Sequence, residues 1–331
     1  MPPVFFQDFM AATPSNKDSE AAADVLSNRL FELANVGDLG FRCRGGAKVS
    51  VRQDHDAQVH TGGIVWETAF LLATYLEHQP GTLPSATAAG GRAKVLELGS
   101  GCGLLGLVLA HTGAEVVLSE HPLAVPNLRY NVAENLGVLE SSSSGTARVV
   151  QLDWGEQKDV EAVRALGHAP SGTFDVIVGT DVIFAERWVT PLLRTMHQLS
   201  AADTTIWLCV QERCAAAHAK MLASLPEYFN DVAIISPGEA VAQELGVGVG
   251  NESGNWRALA RALHTDLDCV MLRIRQPRLR GRPVSATAEA NDQTEPQPTK
   301  KRKKKEQKGK KDKAGKKQKK EKRQKQQAQN R

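Results

Sequence analysis

Cysteine is scarce in this chain of 331 residues. There are five, Cys43, Cys102, Cys209, Cys214 and Cys269, an odd number with no CxxC spacing. A disulfide framework or a cysteine-ligated zinc site is therefore not expected, and the thiols read as reduced. Long apolar runs are missing too: no stretch approaches the roughly 18 consecutive apolar residues of a membrane helix. The first ten residues, MPPVFFQDFM, lack the basic region and apolar run of a secretory signal. Asp8, Asp18, Glu20 and Asp24 argue against an Arg-rich, acid-poor mitochondrial presequence. The cytosol, the nucleus or both are expected as the location, with no membrane partner.

What is present is unevenly distributed. Residues 300–331 hold 18 Lys or Arg against Glu306, Asp312 and Glu321, a net +15. The whole chain carries only +4, which leaves −11 on residues 1–299. A polycationic block buries too little apolar surface to offset its chain entropy, so a disordered tail is expected. Its Lys300–Lys305 run suits nuclear targeting, and the whole tail suits RNA or ribosome contact through phosphates. It contains no aromatic residue, so base stacking is not supported. A merely solubilising appendage is the plain alternative.

The body divides into a lead-in (residues 1–38), a main domain (39–275) and a linker rich in Pro, Ala, Thr and Gln (276–299). The lead-in is expected to pack loosely, with a helix around residues 21–33. Alternation at 41–44 and 48–52 predicts a hairpin, and helical spacing at 64–77 predicts an amphipathic helix. Strands then alternate with helices. The strands are expected at 94–98, 115–119, 147–152, 174–179, 204–210, 232–235 and 268–274, and the helices at 104–111, 124–136, 187–199 and 214–225. Such βαβα alternation implies an α/β doubly wound, mostly parallel sheet of seven strands. A glycine-rich insertion (Gly246, Gly248, Gly250, Gly254) separates the last two strands.

The run Val95–Gly106 passes from a buried strand directly into a helix. Its glycines let the backbone turn sharply and approach a ligand with no Cβ in the way, at the carboxyl end of a strand where open α/β sheets bind. Gly101-Cys-Gly103-Leu-Leu-Gly106 also fits a dinucleotide fingerprint, which is weak evidence alone. Glu97 shifts the balance, because Glu97-x-Gly99-x-Gly101-x-Gly103 is the pattern of S-adenosylmethionine enzymes. Asp153 offers a carboxylate to an adenine amino group, and Trp154 offers an indole beside the ring. Glu120 suits two ribose hydroxyls but fits NAD equally well. A structural turn, a solvated strand end at Glu120 and a core-filling Trp154 remain the bland alternatives.

Four blocks resemble the seven-strand protein-lysine methyltransferase family, whose members include enzymes acting on valosin-containing protein and on chaperones. They are Thr61–Ala69, Glu97–Gly106, Leu152–Gly155 and Phe174–Phe184, and the resemblance spans roughly residues 40–275. It implies a Rossmann-like fold and S-adenosyl-L-methionine as cofactor, contacted by Trp66, Gly99, Ser100, Gly101, Glu120, Trp154 and Thr180. It implies that Asp181 and Phe184 border a channel for a protein substrate presenting a lysine, and that Glu212 and Arg213 shape the rim. Phe184 stands where many members have tyrosine, so a phenolic hydrogen bond to the incoming nitrogen is not available. Asp181 as a helix N-cap and Phe184 as simple packing stay open.

A lysine amine attacks only when neutral, which at pH 7 costs about 4–5 kcal/mol from a reference pKa near 10.4. An aromatic-walled, desolvated channel lowers that pKa, and the adjacent sulfonium pushes the same way. Asp181 would steer and orient the amine rather than act as a strong base. Three readings compete with lysine methylation. A nucleic-acid methyltransferase would usually carry an Asn/Asp-Pro-Pro-aromatic motif where this chain has Asp181-Val-Ile-Phe184. An inactive cofactor-binding scaffold on RNA would suit Phe184 and the tail. An NAD oxidoreductase has only the glycine loop in its favour.

Overall fold

The computed structural model describes residues 2–11, 32–44, 46–55, 60–79, 81–83, 91–141, 145–235 and 269–278. The chain divides into two units, Met1–Arg278 and Leu279–Arg331, and every described residue belongs to the first. The expected helix at 21–33 (all but its last two residues), the glycine-rich insertion at 246–254 and the lysine-rich tail lie outside the described residues.

Before the main sheet come β1 (Val4–Phe5), α1 (Phe6–Ala11), β2 (Asp38–Arg42), β3 (Lys48–Arg52) and α2 (Glu67–His78). The hairpin expected from the Phe41 and Lys48 stretches is β2–β3, paired antiparallel with Gly40 opposite Ser50. β1 adds to it in parallel. The described part of the lead-in does not lie loosely. Phe6 is buried and its ring stacks on Phe70 at 4.3 Å, and burying such a side chain contributes about 2 kcal/mol. This cover explains a second difference. The helix expected as amphipathic at 64–77 is α2, which starts at Glu67 and buries every residue from Glu67 to Leu76. Its outer side meets the hairpin layer instead of water.

The main sheet is built from β4 (Lys94–Leu98), β5 (Glu115–Glu120), β6 (Thr146–Gln151), β7 (Phe174–Thr180), β8 (Ser200–Gln211), β9 (Phe229–Ile235) and β10 (Cys269–Pro277). Their spatial order is β6-β5-β4-β7-β8-β10-β9. The first five are parallel; β10 runs antiparallel to both β8 and β9. β4 and β7 read as continuous apolar runs because both of their faces are covered. On one face lie α2, α3 (Leu104–His111) and α4 (Val125–Ser141), joined with the hairpin in one apolar core. On the other lie α5 (Gln157–Arg164), α6 (Glu186–Leu199) and α7 (Ala215–Tyr228), with a second core. The winding direction reverses between β4 and β7, so a crevice opens beyond the carboxyl ends of these two strands.

Three asparagines of α4, spaced by four residues and so on one helix face, close the outer edge of the hairpin. Asn131 donates to the Arg52 carbonyl at 3.0 Å and accepts from the Arg52 N–H at 2.9 Å. Asn135 does the same for Ser50, at 2.7 and 3.1 Å. Asn127 accepts from the Arg52 guanidinium at 3.0 Å. Asn131 also donates to the carbonyl of Cys102 in the glycine loop at 2.9 Å, tying hairpin, helix and loop together.

Candidate active site

β4 ends at Leu98, and the chain turns through Gly99, Gly101 and Gly103 with φ of +62°, +53° and +87°. An L residue in that left-handed region costs roughly 1–2 kcal/mol, so the loop needs glycine at these turns. At Gly103 a Cβ would also stand 2.6 Å from the Leu128 side chain, which places this glycine against the core. Glu97 lies buried beneath the loop, and its Oε2 accepts from the Gly106 N–H at 3.1 Å. Burial pushes its carboxyl up to about 8 against hydrogen bonds from Ser100 and Gly106, so it is protonated at neutral pH. Ser100 is buried as well, its N–H donating to Ser119 O at 3.0 Å.

Above the loop is a cavity of about 410 Å³, within the range of small-molecule sites. Glu120, at the end of β5, holds one side of its floor. Its two carboxylate oxygens accept from the Gly101 N–H at 2.6 Å and the His121 N–H at 2.7 Å. Burial raises the Glu120 pKa, and those two N–H groups pull it back. It is thus a fixed part of the floor and not a solvated strand end. Asp153 sits where β6 ends; its main-chain N–H donates to Asp159 Oδ2 at 3.0 Å, and its side chain lines the cavity. Trp154 follows, and its ring lies 6.3 Å from that of Phe184 at an interplanar angle of 46°. Val182, Arg187 and Trp188 complete this wall.

Asp181 follows β7 in the left-handed region, with φ +50°. Strain of about 1–3 kcal/mol at a non-glycine residue persists only where the surroundings over-determine it, and here they do. The Asp181 N–H donates to Cys209 O at 3.0 Å, and Oδ1 accepts from the Gln211 N–H at 2.8 Å. Oδ2 pairs with Arg213 Nη2 at 2.7 Å. The same nitrogen reaches Glu67 Oε2 at 2.9 Å, and the guanidinium lies 4.4 Å from the Trp66 ring centre. Burial alone would lower the Arg213 pKa, but the two carboxylates outweigh it and raise it. Asp181 and Glu67 are only 8% and 7% exposed. Asp181 is not a helix N-cap; α6 begins after Ala185 without a side-chain cap.

Of the residues singled out from sequence, Trp66, Gly99, Gly101, Glu120, Asp153, Trp154, Thr180, Asp181 and Phe184 line this one cavity. Glu97, Ser100 and Gly103 do not line it; they shape the loop from below, the first two bordering a small void of about 30 Å³ beneath it. Sequence reasoning missed His60, His121 and Arg187 on the lining, and Glu67 behind it. Glu67 follows Trp66 directly, but nothing in the spacing reveals that Arg213 reaches it from 146 residues away.

These features fit an adenosyl ligand. The floor carboxylate of Glu120 keeps further lone pairs for hydroxyls, the glycines leave the loop bare, and Asp153 and Trp154 stand together on the wall. A doubly wound seven-stranded sheet with such a crevice is a Rossmann-like fold, the architecture of S-adenosylmethionine-dependent methyltransferases. A family model described as lysine methyltransferase matches residues 46–227. Protein N-lysine methyltransferase METTL21A of Danio rerio is 33% identical over 206 residues, covering 62% of this chain and 81% of that protein. EEF1A lysine methyltransferase 3 of Mus musculus is 28% identical over 189 residues, covering 57% and 72%. Among solved structures, the T. Thermophilus 16S rRNA N2 G1207 methyltransferase in complex with AdoMet and guanosine overlaps at TM-score 0.41 and 18% identity, covering 72% of this chain and 50% of that one. The chain belongs to the lysine methyltransferase family. It is a protein-lysine N-methyltransferase, its cofactor is S-adenosylmethionine and its substrate is a protein.

Proposed function

We propose that the donor lies along Trp66, Gly99, Gly101, Glu120, Asp153, Trp154 and Thr180, and that the target lysine enters past Asp181 and Phe184. The observation that carries this reading is that all nine line a single cavity. When bound, the donor supplies an electrophilic methyl group on a positively charged sulfur. The chain's own part is binding and alignment. Phe184 and Trp154 exclude water from the incoming amine, which favours its neutral, nucleophilic form. Asp181, with Oδ2 held by Arg213, orients the amine through its remaining lone pairs and is not free to act as a strong base.

The name of EEF1A lysine methyltransferase 3 supports elongation factor 1A as the first protein to try. The +15 of residues 300–331 supports contact with RNA or ribosomes through phosphates, and location in cytoplasm, nucleus or both. Purified protein is incubated with methyl-labelled S-adenosylmethionine and either elongation factor 1A or a cell lysate, with and without nuclease. Label in a protein band that survives nuclease is expected, on lysine after hydrolysis. Label that disappears with nuclease would overturn the lysine channel. RNA binding that weakens steeply with salt and is lost on deleting residues 300–331 is expected for the tail.

A further inference from the structure

Arg213 joins three segments that are remote in sequence. Its main-chain N–H turns back to Gln211 O at 2.8 Å, a tight turn that ends β8 and sends the side chain inward. There it bonds Glu67 at the start of α2 and Asp181 at the end of β7, and its plane covers the indole of Trp66. Trp66 has one further anchor, its Nε1 donating to Thr61 O at 3.2 Å. Trp66 and Asp181 line the cavity, whereas Arg213 and Glu67 stand behind them. The sequence resemblance suggested a rim position for Arg213. Its guanidinium holds two residues of the cavity lining without lining the cavity itself.

We propose that Arg213 is a positioning residue for methyl transfer, locking the Asp181 carboxylate and the Trp66 indole into one rigid unit without touching donor or amine. The proposal rests on the reading of the crevice given above. A guanidinium suits the task because its rigid planar group holds two carboxylates and lies over a ring in one fixed geometry, whereas an ammonium on a flexible stem is a point charge without that preset shape. Glu67 keeps the guanidinium from swinging with Asp181, since it fixes the same nitrogen from the opposite segment. The positive φ of Asp181 makes this anchoring consequential, because a carboxylate freed from Arg213 would relax away from its strained position.

Arg213→Lys keeps the charge opposite both carboxylates and removes the rigid planar group that lies over Trp66. The readouts are turnover on the lysate proteins labelled by the wild type, S-adenosylmethionine affinity by calorimetry, and melting temperature. A fall in kcat of about tenfold or more is expected, the scale at which small misplacements act, with cofactor Kd changed by no more than about threefold. Combined with Asp181→Asn, the lysine variant should add little further loss, since both changes break one unit. Losses that multiply would overturn the proposal. So would a raised cofactor Kd with unchanged kcat, which would make Arg213 a cofactor ligand. A lowered melting temperature with full turnover per folded molecule would reduce Arg213 to a structural role and overturn it as well. Should Arg213→Lys not fold, Glu67→Gln serves, with a smaller fall in kcat expected and no change overturning the idea. If Asp181→Asn by itself leaves methylation intact, the reading of the crevice fails, whatever Arg213 does.

Discussion

The indole of Trp154 stands 3.3 Å from the point where a Cβ on Gly99 would sit, with Val182 at 3.1 Å on the same side. Loop and wall therefore meet so closely that a methyl group fits only if a neighbour gives by a few tenths of an ångström. Gly99→Ala should lose about 1–2 kcal/mol of stability from its left-handed backbone. It should also push the indole outward and raise the Kd for S-adenosylmethionine about tenfold or more. Calorimetry on the folded variant checks this, and an unchanged affinity would separate Trp154 from the cofactor.

Glu97 makes stability depend on pH. Its folded pKa of about 8 lies above the ordinary carboxyl value near 4.5 because the group is buried. Between those values the native state holds a proton that the unfolded chain has released. The contribution of Glu97 is therefore full below about pH 4.5 and is lost as pH rises through 8, at about 1.4 kcal/mol per unit. Glu97→Gln keeps an acceptor for Gly106 N–H and does not titrate. The melting temperature of the variant relative to wild type should climb from pH 5 to pH 8; a difference that stays flat across that range would refute the buried proton.

Asn131 satisfies both main-chain groups of Arg52 and the carbonyl of Cys102. Asn131→Ala strands the Arg52 N–H and the Cys102 carbonyl, the Arg52 carbonyl keeping the Asn127 amide at 3.2 Å, and a buried polar group left unpaired costs about 1–3 kcal/mol. A fall in melting temperature of roughly 5 °C is expected at this size. Asn131→Asp would bury a carboxylate oxygen against the Arg52 and Cys102 carbonyls, so it should be at least as destabilising as alanine.

Phe184→Leu tests the aromatic wall. Aromatic pairs contribute about 0.5–1.5 kcal/mol beyond area, and here the partner ring is that of Trp154. If the wall holds the amine, kcat/KM for the protein substrate should fall about three- to tenfold while cofactor Kd moves less. A larger change in cofactor Kd than in kcat/KM would shift Phe184 to the adenosine side.

Much of the sheet was legible because its strands are short apolar runs closed by charged or glycine residues, as at Lys94–Leu98 and Phe174–Thr180. Helix α5 was not foreseen, since its eight residues bury only Val160 and Val163 among the apolar types, too few for a periodic signal. Phe6 was read as part of a loose lead-in because its partner Phe70 is 64 residues away and no local pattern announces the pairing. In the site, residues at strand ends and Arg213 are legible in the sequence, whereas Glu67 and the ion pairs behind the wall are not. Glycine patterns mark where a ligand approaches a backbone, whereas the meeting of Glu67, Asp181 and Arg213 depends on how α2, β7 and β8 pack.

The asparagines of α4 have one further consequence. A hairpin with an open side is a template on which a second molecule can add a strand, a common route to aggregates. Side-chain amides at Asn131 and Asn135 occupy the donors and acceptors that such a strand would use. The helix that braces the glycine loop through Asn131 therefore also leaves the main-chain groups of Ser50 and Arg52 satisfied and unavailable to an added strand.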